Sequence, residues 1–198
     1  MGRSPTDDLM RLFDTLNSIR TDRLLIRPLI ASDSSALFDI FSNPMVTEYA
    51  IGYPHETVVE SQNYIQSVLD AYTQGTAAIW GITVRDAQEV IGIIGYELWF
   101  SDHNRAEIGY TLRQDYWGHG YATEALRGVA SYGFSQLKLN RIEATAQPDN
   151  TASWHVLQKA GFQREGLLKQ FILSREKYRD VYFYSLVYEN WNNNKTFR

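Results

Sequence analysis

No cysteine occurs in the 198 residues, which excludes disulfides, thiolate metal sites and a cysteine nucleophile and is compatible with a reducing compartment. Histidine is nearly as scarce, with 4 scattered residues, so no histidine metal cluster is expected and the metal assignment is none. An excess of positive charge is also missing. The formal net charge is -4 and no basic stripe appears, which argues against a nucleic-acid partner, because phosphate backbones are held by concentrated Lys and Arg. No apolar run is long enough to span a bilayer, and the opening MGRSPTDDLMRLFDTL places acids where a signal peptide needs an unbroken apolar region. A cytoplasmic protein without a membrane partner is therefore expected. Repeats, low-complexity stretches and an interdomain linker are absent as well, so one main domain is expected.

Aromatic surface is what the chain has in quantity, with 13 Tyr, 9 Phe and 5 Trp. That much ring area suits a core, a deep groove or an oligomer interface. Leu9, Phe13 and Leu16 recur at helical spacing behind the possible caps Thr6 and Asp7, predicting a helix over residues 6–17. A strand is expected over 23–29, stopped by Pro28, followed by helices over 32–41 and 57–72 that are joined by a turn-rich loop carrying Tyr49, Tyr53 and His55. Residues 77–84, 90–100 and 106–112 then read as an antiparallel meander. A helix over 122–134, a strand over 141–146, a helix over 151–160 and strands near 162–173 and 178–188 complete a mixed α/β sheet.

The most informative stretch runs from Asp115 to Leu126, DYWGHGYATEAL, where two glycines separate a strand from an amphipathic helix. Glycines let main-chain N–H groups approach a ligand without a Cβ in the way, and a helix start adds unpaired donors and the positive end of a dipole. A pyrophosphate fits such a cradle, although glycine in this setting often serves only the turn. The stretch is not a P-loop, because no Gly-Lys-Ser/Thr follows, and it lacks the third glycine of the dinucleotide fingerprint. Farther on, DNTASWHVLQKAGF places Asn150 and Ser153 in the first turn of a helix that ends at Gly161, with Asp149 or Asn150 as its cap.

These two motifs, in this order and spacing, resemble the coenzyme A-binding core of the GNAT superfamily in its RimJ/RimL branch, the ribosomal-protein alanine/serine N-acetyltransferases. TDRLLIRPL at the start and DVYFYSL near the end are similar to the same branch, so the resemblance covers roughly residues 21–191 and implies a main domain there, with a helical extension over 1–20 and a tail over 192–198. It implies an α/β (α+β) GNAT fold: a mixed, mostly antiparallel central sheet of about seven strands, splayed between two parallel strands and flanked by helices. One departure is Trp117, where the superfamily pattern has Gln or Arg, so a side-chain phosphate contact is lost there and the backbone must do more of the binding.

The resemblance further implies direct transfer of acetyl from acetyl-coenzyme A to an amine in a ternary complex, without a metal. Phosphates are expected at Gly118, His119, Gly120, Tyr121 and Ala122, mainly through main-chain N–H groups, with Trp117 and Thr123 also expected to touch the cofactor. The cofactor arm is expected along Ile108, Gly109, Tyr110, Thr111 and Leu112, inserted like an added strand beside residues 141–146, with Asn150 and Ser153 also touching it. Asn150 matches the family asparagine, and Ser153 matches a position where a hydroxyl lies near the thioester sulfur and acts as general acid. Glu107 is the leading general base, against a water chain; Glu165 and Tyr184 are weaker candidates, and His119 reads as a turn residue. Tyr49, Tyr53, Trp99 and Phe171 are expected to line the acceptor side. The acceptor is expected to be a protein N-terminal amine or, as the alternative, a small-molecule amine such as a polyamine, amino acid or antibiotic; a coenzyme A-binding sensor without chemistry is a third reading. The protein is expected to be a monomer or homodimer.

Overall fold

The computed structural model describes residues 17–50 and 52–193. The helix expected over residues 6–17 lies, apart from Asn17, outside the described residues, as do residues 194–198 of the tail. Strands β1 (Ile19–Arg20), β2 (Leu24–Pro28), β3 (Ala78–Val84), β4 (Val90–Phe100), β5 (Arg105–Leu112), β6 (Arg141–Ala146), β7 (Gln163–Ser174) and β8 (Lys177–Val187) form one sheet in the order β1-β2-β3-β4-β5-β6-β8-β7. Every neighbouring pair is antiparallel except β5 and β6. The strand beyond the expected set is β1, too short at 2 residues to show a period of its own, yet its Ile19 is buried in the core.

Helices α1 (Ser34–Phe41), α2 (Pro44–Thr47), α3 (Val58–Gln74), α4 (Tyr121–Ser135), α5 (Thr151–Lys159) and α6 (Tyr188–Asn193) cover the sheet. The single-turn α2 falls in the expected turn-rich loop, and the short α6 begins at the last residue of the strand expected over 178–188 and runs beyond it. Helix α3 begins in a capping box, with Glu60 Oε2 accepting from the Thr57 N–H at 2.8 Å, and ends where Gly75 turns left-handed at φ +65°. The β7–β8 turn is tight: Arg175 and Glu176 have φ +48° and +63°, the left-handed pair that matches strand twist.

One face of the sheet packs on α4 and α5 through Trp80, Ile94, Tyr96, Ile108, Val129, Phe134 and Leu157, and the other on α1 and α3 through Leu37, Ile40, Ile65, Val68 and Ile93. Because helices cover both faces, β3 and the first half of β4 run apolar without alternating. Strand β5 does alternate: Ala106, Ile108 and Leu112 are buried in the α4/α5 core, while Glu107, Gly109 and Thr111 belong to the opposite face.

An irregularity in β4 breaks this regularity where it matters. Tyr96 pairs with Ile108 but Leu98 pairs with Glu107, so Glu97 is an extra residue at a β-bulge. One added residue exchanges the two faces for everything after it. Trp99 is thereby turned back toward the core, ring against Tyr96 at 5.5 Å, while Leu98 is left on the Glu107 face.

Candidate active site

Strands β5 and β6 are paired only from Arg105↔Arg141 to Glu107↔Glu143. Beyond that point residues 108–112 pair with β4 alone and residues 144–146 with β8 alone, leaving two facing backbone edges without a strand between them. Charge ties the paired end together. Buried Glu143 accepts from Arg105 Nη1 at 2.5 Å and Arg141 Nε at 2.7 Å, and Arg141 forks onto Glu165 at 2.9 and 2.6 Å. Donation from Arg141 and Ser185 holds the Glu165 carboxyl down at about 2, so Glu165 is a structural anion outside the cleft lining. The divergence opens into a cleft of about 1810 Å³. Single-ligand pockets are smaller, roughly 300–1,000 Å³, so this one has room for more than one molecule.

At one end of the cleft stands the glycine turn. Gly118 and Gly120 adopt φ +77° and +80°, conformations that an L side chain strains to reach, and Gly120 caps α4. The N–H groups from Gly118 through Thr123 make no hydrogen bond among the described residues, and all of these residues except His119 line the cleft. Unpaired N–H groups at a helix start, with the helix dipole behind them, suit an anion. Arg23 braces the turn from β2's approach: its Nε meets Glu124 at 2.6 Å and its Nη1 donates to the His119 carbonyl at 2.9 Å. Arg20, Arg23, Arg127 and Lys159 line the same cleft and supply positive charge. Trp117 also lines it, with its indole N–H donating to the Leu112 carbonyl at 2.7 Å, so its side chain braces the backbone instead of offering a donor.

Midway along the cleft, α5 begins. Asn150 is its N-cap, and Oδ1 accepts the Ser153 N–H at 3.1 Å, which aims the amide nitrogen elsewhere. Ser153 Oγ lies 3.0 Å from the Tyr110 hydroxyl, which is also 3.0 Å from the Ser153 carbonyl. Burial holds the Tyr110 phenol well above its ordinary pKa, so it stays a neutral donor.

On the α1/α3 side the cleft is acidic. Glu107 and Glu97 both line it, as does Glu48. Burial raises the Glu107 carboxyl, opposed by the Thr145 hydroxyl that donates to Oε1 at 3.0 Å. Burial raises Glu97 as well, and the nearby Glu107 charge adds to it, while no described residue donates it a hydrogen bond. The Glu97 carboxylate occupies the space a Cβ would take at Gly109, so a side chain there would collide with it. Sequence reasoning passed over Glu97, although it is the one charged residue in the run VIGIIGYELWF.

Of the expected acceptor-side aromatics, Tyr49 and Phe171 line the cleft; the Tyr49 hydroxyl donates to the Asp149 carbonyl at 3.3 Å. Tyr53 is 67% exposed outside the lining, beside Arg175, and Trp99 is the residue the bulge turns inward. Phe41, Met45 and Tyr64 stand in the wall instead. Ile108, Gly109, Tyr110, Thr111 and Leu112 all line the cleft, whereas Tyr184 is wholly buried in the core.

Residues 23–163 match the family described as acetyltransferase (GNAT) domain. The chain is 40% identical over 169 residues to the uncharacterized N-acetyltransferase YoaA of Bacillus subtilis (strain 168), across 85% of this chain and 96% of that one. It is 25% identical over 182 residues to the ribosomal protein uS5-alanine N-acetyltransferase of Escherichia coli (strain K12), across 87% and 92% of the two chains. The crystal structure of the acetyltransferase (GNAT family) from Bacillus anthracis superposes with a TM-score of 0.78 at 30% identity, covering 87% of this chain and 99% of that one.

Proposed function

Because this chain belongs to the GNAT acetyltransferase family and is an N-acetyltransferase of that type, we propose that it passes acetyl from acetyl-coenzyme A directly to the α-amine at a protein N-terminus. The reading stands on the row of unused N–H donors from Gly118 to Thr123, which opens onto the gap between β5 and β6. The donors suit a diphosphate and the gap suits an amide-bearing arm, which completes the bare strand edges as an added strand would. No group of three or more His, Asp or Glu among the described residues is arranged to hold a metal.

The residues then divide the work. Gly118, Gly120 and the start of α4 hold phosphate, and residues 108–112 orient the thioester arm toward Asn150 and Ser153. Glu97 and Glu107, on the far face of β5, receive the acceptor ammonium and take its proton, with Glu97 the freer of the two because no described residue donates to it. An α-amine suits such a base, since its ordinary pKa of about 7.7–8.0 leaves part of it neutral near pH 7, unlike a lysine amine at about 10.4. The 25% identity to an enzyme named for a ribosomal protein alanine supports the same acceptor class.

A small-molecule amine is the second reading, favoured by the three carboxylates Glu48, Glu97 and Glu107 on one wall, which suit any compact cation. Thiol release from acetyl-coenzyme A, measured against N-terminal peptides and small amines side by side, separates the two. Turnover with peptides is expected. Turnover with small amines alone replaces the acceptor class, and coenzyme A binding without any thiol release leaves a sensor. No helix among the described residues is long and apolar enough to cross a membrane, and the cytoplasm is the location that fits this role.

A further inference from the structure

Tyr110 stands on β5 and Ser153 in the first turn of α5, 43 positions apart in sequence, yet the tyrosine hydroxyl touches the serine twice. Its oxygen is 3.0 Å from the Ser153 carbonyl and 3.0 Å from Ser153 Oγ. A phenol has one hydrogen, so it serves one of these acceptors at a time. When that hydrogen goes to the carbonyl, the phenol oxygen is free to accept, and Ser153 turns its own hydrogen back onto Tyr110. When it goes to Oγ, the serine hydrogen is released to point into the cleft. The two arrangements differ only in the rotation of two hydroxyls, and both keep Tyr110 satisfied.

We infer that Tyr110 is a positioning residue that sets the direction of the Ser153 hydroxyl, backing it with a hydrogen bond as negative charge builds on the departing sulfur. The inference rests on the acyl-transfer reading above. In the transfer the Glu97/Glu107 pair takes one proton from the ammonium, the nitrogen–carbon bond forms, the carbon–sulfur bond breaks with its electron pair going to sulfur, and the second nitrogen proton passes to solvent water as the amide forms. Ser153 then donates a hydrogen bond to the thiolate and Tyr110 donates one to Ser153; no bond of Tyr110 breaks. Three features of the site favour this arrangement. Burial keeps the phenol protonated, so it acts only as a donor and as a weak acceptor. Asn150 Oδ1 already engages the Ser153 N–H, which fixes the serine backbone beneath the switch. Ser153 lies in the first turn of α5, where the helix dipole favours the charge that the serine faces.

A double-mutant cycle in the full chain tests the idea, with turnover and coenzyme A affinity read for wild type, Tyr110→Phe, Ser153→Ala and both together. Tyr110→Phe is expected to lower kcat about fivefold to fiftyfold, while KM for acetyl-coenzyme A and coenzyme A affinity stay within about twofold. Added to Ser153→Ala, it is expected to cost nothing more, because the hydroxyl it directs is already gone. A multiplicative loss in the double variant, or an unchanged kcat in Tyr110→Phe, overturns the role. Should Tyr110→Phe lose coenzyme A binding through misfolding, single-turnover rates of the wild type in mixed light and heavy water decide. Two hydroxyl hydrogens changing partners give a curved dependence on deuterium fraction, and a straight line overturns the switch. Absence of thiol release by the wild type with coenzyme A bound is a different result, which removes the acyl-transfer reading itself.

Discussion

At the scale of single residues, Gly120 and the Glu97/Glu107 pair decide most. Gly120 sits at φ +80°, so Gly120→Val forces a β-branched residue into a left-handed conformation. Such strain costs of the order of 1–3 kcal/mol, against a total stability of about 5–15 kcal/mol for a domain, so the chain stays folded while its N–H donors lose their aim. Calorimetry with coenzyme A is expected to show binding abolished, with circular dichroism unchanged. The carboxylates predict a pH signature. A base must be ionised to act, so kcat/KM rises with pH, and burial places the inflection above the ordinary carboxylate value of 4.5. Glu97→Gln is expected to flatten this limb, whereas Glu107→Gln removes a like charge and moves it to lower pH. A pH–rate series on both variants distinguishes them. Asn150 was legible as a helix cap because capping chemistry is local. Glu97 was not, because its carboxylate lies over Gly109 of the neighbouring strand, a cross-strand relation that no window along one strand contains.

Between elements, the seam joining β5 to β6 depends on an ion cluster. Arg141 holds the Glu165 carboxyl at about 2 when folded, against an ordinary value of 4.5. A depressed carboxylate contributes stability that is full above its ordinary value and is lost as the pH falls toward about 2. Arg141→Met is therefore expected to lower stability near pH 7 but to cost little near pH 2, a difference readable as urea midpoints at the two pH values. The opposite wall is held by the β7–β8 hairpin, where the Ser174 hydroxyl donates to the Ala50 carbonyl at 2.9 Å and Arg175 Nη2 to the Thr47 carbonyl at 2.5 Å. Arg175→Ala is expected to raise the acceptor KM several-fold with kcat for saturating acceptor little changed, since it loosens the wall that carries Tyr49 and not the thioester end. Helices announced by caps and period, such as α3 and α5, appear within a residue or two of their predicted bounds. The bulge in β4 leaves no mark in an apolar run, so the sequence puts Trp99 on the acceptor side, whereas the bulge turns it toward the core.

Across the whole molecule, one cleft carries both signs of charge: Arg23 braces the glycine turn and Arg20, Arg127 and Lys159 line the same cleft, as do Glu48, Glu97 and Glu107. Acetyl-coenzyme A at 100 times its Kd is expected to stabilise the fold by about 2.7 kcal/mol. For a domain of this length that corresponds to a rise in Tm of roughly 5–10 °C, with a smaller rise in high salt. Strand β5 runs through the middle of this arrangement as a party wall. On the proposed mechanism its even-numbered Tyr110 faces the leaving group's room at Ser153, and its odd-numbered Glu107 and Gly109 face the nucleophile's. Acceptor preference is therefore free to drift through substitutions at odd positions and their neighbours while thioester handling stays put. A single inserted or deleted residue in the same strand would exchange the tenants of both rooms at once.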